Sequence, residues 1–350
     1  MGKIFLNQTG KLALHTFSGQ EDRSYLFSFC PQKRIHFNNF NNNINGKYLF
    51  YMTSAEEVVG ELPFTTDCQS MFYQAKSLKS VKLHTPLLTN MRYMFSYCYK
   101  LENVEIDTKN VTNGYSAFRN TLVSDIVNNS KYDFSSLTNG EYMFANCNNI
   151  ESVTNEFPQL TQGDCMFYTC PNLTTVQTSF PNLQDGYYMF GSCNLSSTPD
   201  TPSLTSGNFM YHNNKNLTEY THDLPNMVQA QGMFRGCVNL ETFSGNFPLL
   251  GTDYDSSSSV FAAQNMFDGC KLNKASVLHI LEQMQSIELS AQMYITIGAN
   301  IADASDENYK NQILSYFDPA TLSGFGDVNT FRGYVNSASE YQWFVVFQWN

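Results

Sequence analysis

The chain has 350 residues, a net charge of −11 at pH 7 and an isoelectric point near 4.9. This acidity, together with the lack of any basic run, argues against nucleic acids and anionic membranes as partners. The length suits one long domain with smaller ends, and no apolar stretch is long enough to span a bilayer.

Residues 1–61 are predicted to be a short N-terminal β cap or an attachment segment. Lys3–Leu6, Tyr25–Phe29 and Lys47–Met52 are predicted as strands, separated by a polar stretch that includes Asn38–Asn43. A cap is the favoured role, because an exposed first repeat is an unpaired edge that invites aggregation. The first residues also lack a long apolar region and a small-residue cleavage site, so we expect no secretory signal.

A Met-Phe-x-x-Cys-x-x-Leu motif recurs through the middle of the chain. Its copies begin at Met71-Phe72, Met94-Phe95, Ala117-Phe118, Met143-Phe144, Met166-Phe167, Met189-Phe190, Met210-Tyr211, Met233-Phe234 and Met266-Phe267. Successive copies are 23, 23, 26, 23, 23, 21, 23 and 33 residues apart. A near-constant step of this size is typical of a solenoid, in which each repeat is one coil stacked on the next. Residues 62–272 are therefore predicted to be a solenoid of nine coils.

Each coil is predicted to contain a short strand beyond the motif's Leu. In the segment from Leu101 to Ile106, apolar Val104 and Ile106 alternate with polar residues, which indicates one buried face. The polar positions should point outward and, on rungs about 4.8 Å apart, form rows that a partner can contact. The candidate contact residues are Lys82, Asn103, Glu105, Thr154, Gln177, Glu219 and Thr221.

The motif resembles the BspA-like (Treponema-type) leucine-rich repeat, and Ala117-Phe118 matches the commoner Ala-Phe form of that family. The resemblance covers roughly residues 62–272. It implies strands along one face of a horseshoe, adhesion or receptor binding rather than catalysis, and a packed interior of Phe and Cys. That predicted repeat core comprises Phe95, Cys98, Phe144, Cys147, Phe167, Cys170, Phe190, Cys193, Phe234 and Cys237. The pattern departs at Thr121 and Asn214, which replace Cys, and near residues 122–127, where we expect local irregularity.

Nine cysteines invite a disulfide or metal hypothesis, but six of them occupy one repeated position, three residues after the motif's Phe. A column of small buried thiols explains that pattern better than a metal site, since the chain has no C-x-x-C pair. Free thiols in this number suit a protein made in a reducing compartment.

Residues 273–350 change character and are predicted to be a mixed α/β module that caps the solenoid. Asn273 is the expected N-cap of a helix that buries Val277, Ile280, Leu281 and Met284. Three further elements are predicted: a strand at Met293–Ile297, a helix with Tyr309, Ile313 and Phe317 on one face, and a buried strand at Trp343–Phe347. This arrangement resembles the end module of leucine-rich repeat proteins encoded in gut bacteria and their phages. The predicted fold class is thus an α/β repeat solenoid with coils of about 23 residues between two caps.

Residues that could carry chemistry do not form a pattern. The six histidines lack metal-ligand spacing, and no Ser-His-Asp or Cys-His arrangement, phosphate loop or acid pair stands out. Asp253 and Asp255 lie in a loop, Gly251–Val260, for which a solvated surface role is favoured over a cation site. We therefore predict no catalytic residues, no cofactor and no metal, and a protein that is not an enzyme.

The functional expectation is a bacteriophage virion component, such as a tail or fibre protein, made in the host cytoplasm. Its solenoid would contact a protein or glycan receptor on a bacterial surface, or other virion proteins. The repeat resemblance and the missing export signal motivate this hypothesis. Two alternatives stay open: a leucine-rich-repeat adhesin on the bacterial cell surface, and a purely structural assembly protein. Homo-oligomerisation is also left open.

Overall fold

The computed structural model describes residues 5–6, 12–13, 24–37, 46–252, 262–289, 293–323, 330–335 and 342–350. The Asn-rich stretch at 38–43, His15 and both aspartates of the 251–260 loop lie outside these ranges. The chain divides into two units, Met1–Leu173 and Thr174–Asn350. In both units, a turn-rich arc that carries the Met-Phe motif alternates with a short strand.

The strands of the first unit are short and mostly parallel. Strands β1 (Phe5–Leu6) and β2 (Leu12–Ala13) pair antiparallel. The next four pair side by side in chain order, all parallel: β3 (Arg34–Phe37), β4 (Glu57–Glu61), β5 (Ser80–His84) and β6 (Asn103–Glu105). A last strand, β7 (Ser152–Val153), follows later. The prediction of a strand around Val104 is therefore confirmed.

Burial alternates along these strands as the pattern predicts. Val58, Val81 and Val104 are register partners and all are buried, whereas Lys82 and Glu105 on the next row are exposed. Side chains of a strand point alternately to its two faces, so one face packs on the core and the other meets solvent.

The arcs stack through a column of phenyl rings. In the first unit, the rings of Phe27, Phe50, Phe72, Phe95, Phe118, Phe144 and Phe167 lie 5.1–5.5 Å apart from one coil to the next and are nearly parallel. In the second, Phe190, Tyr211, Phe234 and Phe267 stack at 5.6–5.8 Å. Each buried ring contributes about 1.5–3 kcal/mol through loss of water contact, and each ring pair about 0.5–1.5 kcal/mol more.

The arcs have an unusual backbone that explains two wrong strand predictions. Tyr25 and Phe29, and likewise Tyr48 and Met52, have positive φ angles and belong to arcs rather than strands. In the second of these arcs, the amide groups of Tyr48, Phe50 and Met52 donate to carbonyls one coil further on. Every second amide bonds to the neighbouring coil, as it would in a parallel strand, but burial does not alternate, since the adjacent residues Leu49 and Phe50 are both buried. Coils therefore also lie within the segment predicted as an N-terminal cap.

The thiols of the repeat form hydrogen bonds between coils. Cys98 Sγ donates to the Phe72 carbonyl at 3.1 Å, and Cys147 Sγ to the Phe118 carbonyl at 3.1 Å. The same bond recurs at Cys170, Cys237 and Cys270, at 3.1–3.3 Å. The ten residues predicted as repeat core are all buried. The position thus places a donor against a buried carbonyl, which apolar packing alone does not require.

The irregular coil near residues 122–127 and the replacement of Cys by Asn214 each have a physical cause. At the 26-residue step, a 3₁₀ turn (Asp125–Val127) replaces the strand, so the expected irregularity near residues 122–127 is confirmed. Asn214 stands in for Cys beside a shortened coil, in which Cys193 and Leu195 are separated by one residue instead of two. In a regular coil, the amide of this Leu donates to the carbonyl of the Cys three residues earlier, as Leu101 does to Cys98. The Leu195 amide donates to Asn214 Oδ1 instead, at 3.0 Å. Asn214 Nδ2 in turn donates to the Phe190 carbonyl at 2.7 Å, as a thiol does elsewhere.

The second unit begins with coil strands and ends in an α/β arrangement. Its coil strands are β8 (Thr175–Val176), β9 (Glu219–Tyr220) and β10 (Thr242–Phe243), of which β9 and β10 pair in parallel. The later elements are β11 (Ala263–Leu272), α1 (Lys274–Ser286), β12 (Met293–Ala299), a 3₁₀ turn (Ile301–Asp303), α2 (Glu307–Leu314), β13 (Thr330–Tyr334) and β14 (Trp343–Trp349). The sheet order is β11-β12-β14-β13, with β13 antiparallel to β14 and the other pairs parallel.

The first helix and the two strands predicted for this region are present. Asn273 caps α1 by accepting a hydrogen bond from the Ser276 amide, and the four predicted apolar residues of that helix are buried. The helix lies against the last coil, where Ser276 Oγ donates to the Glu241 carbonyl and accepts from the Phe243 amide. Two details differ. Phe317 is buried beyond the end of α2, and β14 buries only alternate residues although its segment Trp343–Phe347 is apolar throughout.

Candidate functional site

A polar groove lies on the parallel sheet of the first unit. Its volume is about 300 Å³. The polar residues that line this sheet groove are Glu61, Lys82, His84, Glu105, Asp107 and Lys131. Strands β4, β5 and β6 hold most of them in adjacent rows, because parallel in-register pairing places equivalent residues of successive coils side by side.

Most charges in the sheet groove are paired with one another. Lys82 Nζ lies 2.7 Å from Glu105 Oε2, and Lys131 Nζ lies 3.3 Å from Glu105 Oε1. Hydrogen bonds from Lys82 and then Lys131 lower the pKa of Glu105, so the carboxylate stays ionised. His84 Nδ1 lies 3.2 Å from Asp107 Oδ2, and the Thr85 amide donates to the same oxygen at 2.6 Å. A ligand here must replace such pairs or bind through uncharged polar contacts.

A smaller depression of about 170 Å³ adjoins the sheet groove and shares Glu105 and Lys131 with it. Asn103, Asp125 and Tyr132 also line it. The Tyr132 hydroxyl donates to the Val104 carbonyl, which fixes this ring against the last strand of the sheet. The two depressions together form a shallow polar surface rather than a closed cavity.

The structure brings together three of the predicted contact residues, Lys82, Asn103 and Glu105. Thr154 is exposed just after β7 in the same unit, and Gln177, Glu219 and Thr221 are exposed in the second unit. Four polar residues of the groove were not predicted: Glu61, His84, Asp107 and Lys131. His84 and Asp107 could have been found by extending the outward alternation, whereas Lys131 lies in the irregular coil and has no register signal.

Next to the groove, charges alternate between successive coils at the starts of the strands. Glu56 lies between Lys33 and Lys79, with nitrogen–oxygen distances of 3.1 Å and 2.8 Å. Hydrogen bonds from Lys79 and Lys33 lower the pKa of Glu56 to about 2. In-register stacking would otherwise place like charges on neighbouring rungs, so the alternation turns a repulsion into an attraction.

The arcs of the first unit carry a second surface, made of tyrosine rings, which was not predicted from the sequence. We call it the tyrosine ladder: Tyr25, Tyr48, Tyr51, Tyr73, Tyr93, Tyr97, Tyr115 and Tyr142. Neighbouring rings lie 4.7–6.1 Å apart. Two arginines, Arg92 and Arg119, lie over rings of the ladder. The available signal was the frequent tyrosine close to the Met-Phe pair.

The described residues offer little that could carry out a reaction. Among them, no group of three or more His, Cys, Asp and Glu side chains could hold a metal ion. Burial raises the pKa of the Cys147 thiol to about 11 and that of Cys237 to about 12, so these thiols stay protonated and unreactive. His222 and His279 each contact a backbone carbonyl. The arrangement is suited to contact with a partner.

In the described part of the chain, every helix is too short or too polar to cross a bilayer. The profile of the BspA type leucine rich repeat region matches six copies, at residues 21–139 and 137–262. No curated protein matches the chain.

The solved structures that show similarity include two leucine-rich repeat proteins. One is a leucine-rich repeat protein from Bacteroides ovatus, at 13% identity and a TM-score of 0.37, which covers 86% of this chain and 85% of its own. The other is a leucine rich cell surface protein from Faecalibacterium prausnitzii, at 14% identity and a TM-score of 0.28, with coverage of 70% and 93%.

Proposed function

The chain belongs to the BspA-type leucine-rich repeat family, and from that premise we propose that it is a non-enzymatic binding protein whose sheet groove contacts a protein or glycan. The observation that carries the proposal is the groove itself. It has a volume of about 300 Å³, lies on in-register strands, and displays Lys82 and Glu105 in the solvent-facing row. A rigid scaffold with polar side chains at fixed spacing suits recognition of an extended partner.

The test compares two matched triple variants. Lys82→Ala/Asn103→Ala/Glu105→Ala removes a cation, an amide and an anion from the groove. Lys100→Ala/Asn128→Ala/Glu156→Ala removes the same three chemical types from exposed positions outside it. Exposed ion pairs contribute about 0–1 kcal/mol to stability, so both variants should fold. Circular dichroism checks this.

The readouts are a printed array of bacterial surface glycans and flow cytometry of labelled protein on a panel of gut bacteria. We expect the wild type and the control variant to bind equally. The groove variant should bind at least about tenfold more weakly. Full binding by the groove variant would remove the groove as the contact surface. If the wild type binds no glycan and no cell, receptor recognition is rejected.

The location we propose is a bacteriophage virion, as a tail or fibre component made in the host cytoplasm. All nine cysteines are free thiols, and eight of them are buried, which suits folding in a reducing compartment. The alternative is a bacterial cell-surface adhesin of the same family. Mass spectrometry of purified phage particles should detect the protein at fixed stoichiometry. If it is absent from particles and cleaved by protease added to intact bacteria, the adhesin replaces the virion protein.

A further inference from the structure

The tyrosine ladder is continuous along several coils of the first unit. The Tyr25 and Tyr48 rings stack at 4.7 Å, and the contacts run on through Tyr51 and Tyr73. From there the ladder reaches Tyr93 and Tyr97, then Tyr115 and finally Tyr142. These rings are half-buried or exposed, although burial in the stacked core would have removed more apolar area from water. Tyrosine is also a residue that protein interfaces favour, since its ring offers a large area with few torsions to fix.

Two cations lie within the ladder, each over two aromatic rings. The Arg92 guanidinium is 4.5 Å from the Tyr115 ring centre and 5.1 Å from that of Tyr93. The Arg119 guanidinium is 5.3 Å from the Tyr142 ring centre and 5.7 Å from that of Tyr97. Contacts of this length are attractive, because the face of an aromatic ring carries a negative electrostatic potential. Each arginine is thus biased towards this position before any partner arrives.

Neither guanidinium has an anionic partner in the described part of the chain. No carboxylate there lies within salt-bridge distance of Arg92 or Arg119, whereas Lys82 and Lys131 of the sheet groove both reach Glu105. Arg119 Nε is buried and has no hydrogen-bond acceptor. A partner cannot reach this buried nitrogen, but Arg119 as a whole is only half-buried, and a carboxylate at its other guanidinium nitrogens would form charge-assisted hydrogen bonds. These two arginines are therefore the unsatisfied cations of this surface.

We propose that the tyrosine ladder is a docking surface for an extended, carboxylate-bearing segment of a partner protein. The Tyr115 and Tyr142 rings, each beneath one of the arginines, are 6.0 Å apart. Alternate residues of an extended chain share a face, so acidic residues at those positions can face cations carried by neighbouring coils. The intervening and flanking side chains would pack on the tyrosine edges.

The charge balance favours a protein segment over an acidic polysaccharide. The whole chain carries a net charge of −11, so a ligand with a carboxylate on every unit is repelled as it approaches. A segment with a few acidic residues among aromatic ones gains the two arginine contacts at a smaller electrostatic cost. The ladder also lies on the arcs and not on the strands, so this proposal does not depend on the sheet groove.

The experiment uses the full chain and fluorescein-labelled peptides, with binding measured by fluorescence anisotropy. The probe is a peptide of alternating Glu and Tyr, and the comparison peptide has Gln in place of Glu. We expect the acidic peptide to bind at least about tenfold more tightly than the Gln peptide. Arg92→Gln/Arg119→Gln should remove that preference. Arg92→Lys/Arg119→Lys should restore part of it, because lysine keeps the charge but not the planar fork.

Two controls separate this proposal from the proposed function. Lys100→Gln/Lys109→Gln removes two exposed cations elsewhere in the same unit and should bind the acidic peptide like the wild type. The groove triple variant should also bind it normally. The proposal is overturned if the wild type does not prefer the acidic peptide, or if the Arg92→Gln/Arg119→Gln variant keeps the preference. Binding of polygalacturonate without binding of the acidic peptide overturns it as well.

Discussion

Asn214 offers the sharpest test of how the coils are held together. Its side chain is fully buried and makes three hydrogen bonds in the second unit. Nδ2 donates to the Phe190 carbonyl at 2.7 Å and to the Tyr211 carbonyl at 2.9 Å, while Oδ1 accepts from the Leu195 amide at 3.0 Å. Our interpretation is that the shortened coil leaves the Leu195 amide without its usual turn acceptor, and that Asn214 supplies one.

Asn214→Leu keeps most of the volume and removes all three bonds. The buried Leu195 amide is then unsatisfied, at a cost of about 1–3 kcal/mol, and each carbonyl loses a bond worth about 1 kcal/mol. The expected loss is therefore about 3–5 kcal/mol, a large part of the 5–15 kcal/mol typical of a folded domain. Asn214→Cys introduces the residue that other coils have at this position. It keeps a donor for the Phe190 carbonyl but loses the acceptor for Leu195 and the bond to the Tyr211 carbonyl, so the expected loss is about 2–4 kcal/mol.

Urea unfolding followed by tryptophan fluorescence measures these losses in the relevant unit, because Trp343 and Trp349 are the two tryptophans of the chain. Asn226→Ala is the control. Its exposed side chain donates only to the Pro202 carbonyl, so removing it should change the free energy of unfolding by less than about 0.5 kcal/mol. If Asn214→Leu destabilises the protein no more than Asn214→Cys does, the hydrogen-bond explanation is refuted.

Three further predictions concern the thiols, the arcs and the charges. Ellman's reagent should label only Cys30 in the native protein, because the other eight cysteines are buried. Burial raises the pKa of the Cys147 thiol to about 11, so rapid labelling of Cys147 would contradict this prediction. Gly236→Ala should lower the free energy of unfolding, measured in urea, by about 2 kcal/mol, since φ is +76° and the new Cβ would collide with Asn213 Oδ1. An unchanged urea midpoint would show that the arc relaxes around the new side chain. The pKa of Glu56 is about 2 when folded and ordinarily 4.5, so its stabilising effect is complete above pH 4.5 and is lost as the pH falls to 2. Glu56→Gln should therefore flatten the fall in stability over that range, and unchanged pH profiles would refute the role of its lysine pairs.

The hydrophobic period of the chain was sufficient to predict its local architecture. The recurring Phe and Leu fix which side chains are buried, and apolar–polar alternation around Val104 predicts its strand. The capped helix α1 was predictable from Asn273 and the apolar spacing behind it, because both signals are local. The family follows from the same repeats. The predicted limits of the caps, the virion location and the identity of the contact surface stay predictions.

The arcs could not be distinguished from strands in the sequence. Each has two residues with positive φ, and in several arcs, such as that of Tyr93 and Tyr97, neither residue type signals that conformation. Such a backbone is stable only because alternate amides find carbonyls on the next coil, as the Tyr93 amide does with the Tyr115 carbonyl at 2.8 Å. The acceptor is 22 residues away along the chain and becomes a neighbour only after stacking.

The sequence by itself determined the coil, since burial of apolar side chains depends on spacing along the chain. The tertiary structure decided which polar groups meet. Stacking pairs Lys82 with Glu105 but leaves Arg92 and Arg119 over tyrosine rings, and it gives the Leu195 amide an acceptor on Asn214. Hydrogen bonds and charge pairs act over a few ångströms, so their partners are settled only when successive coils come into contact.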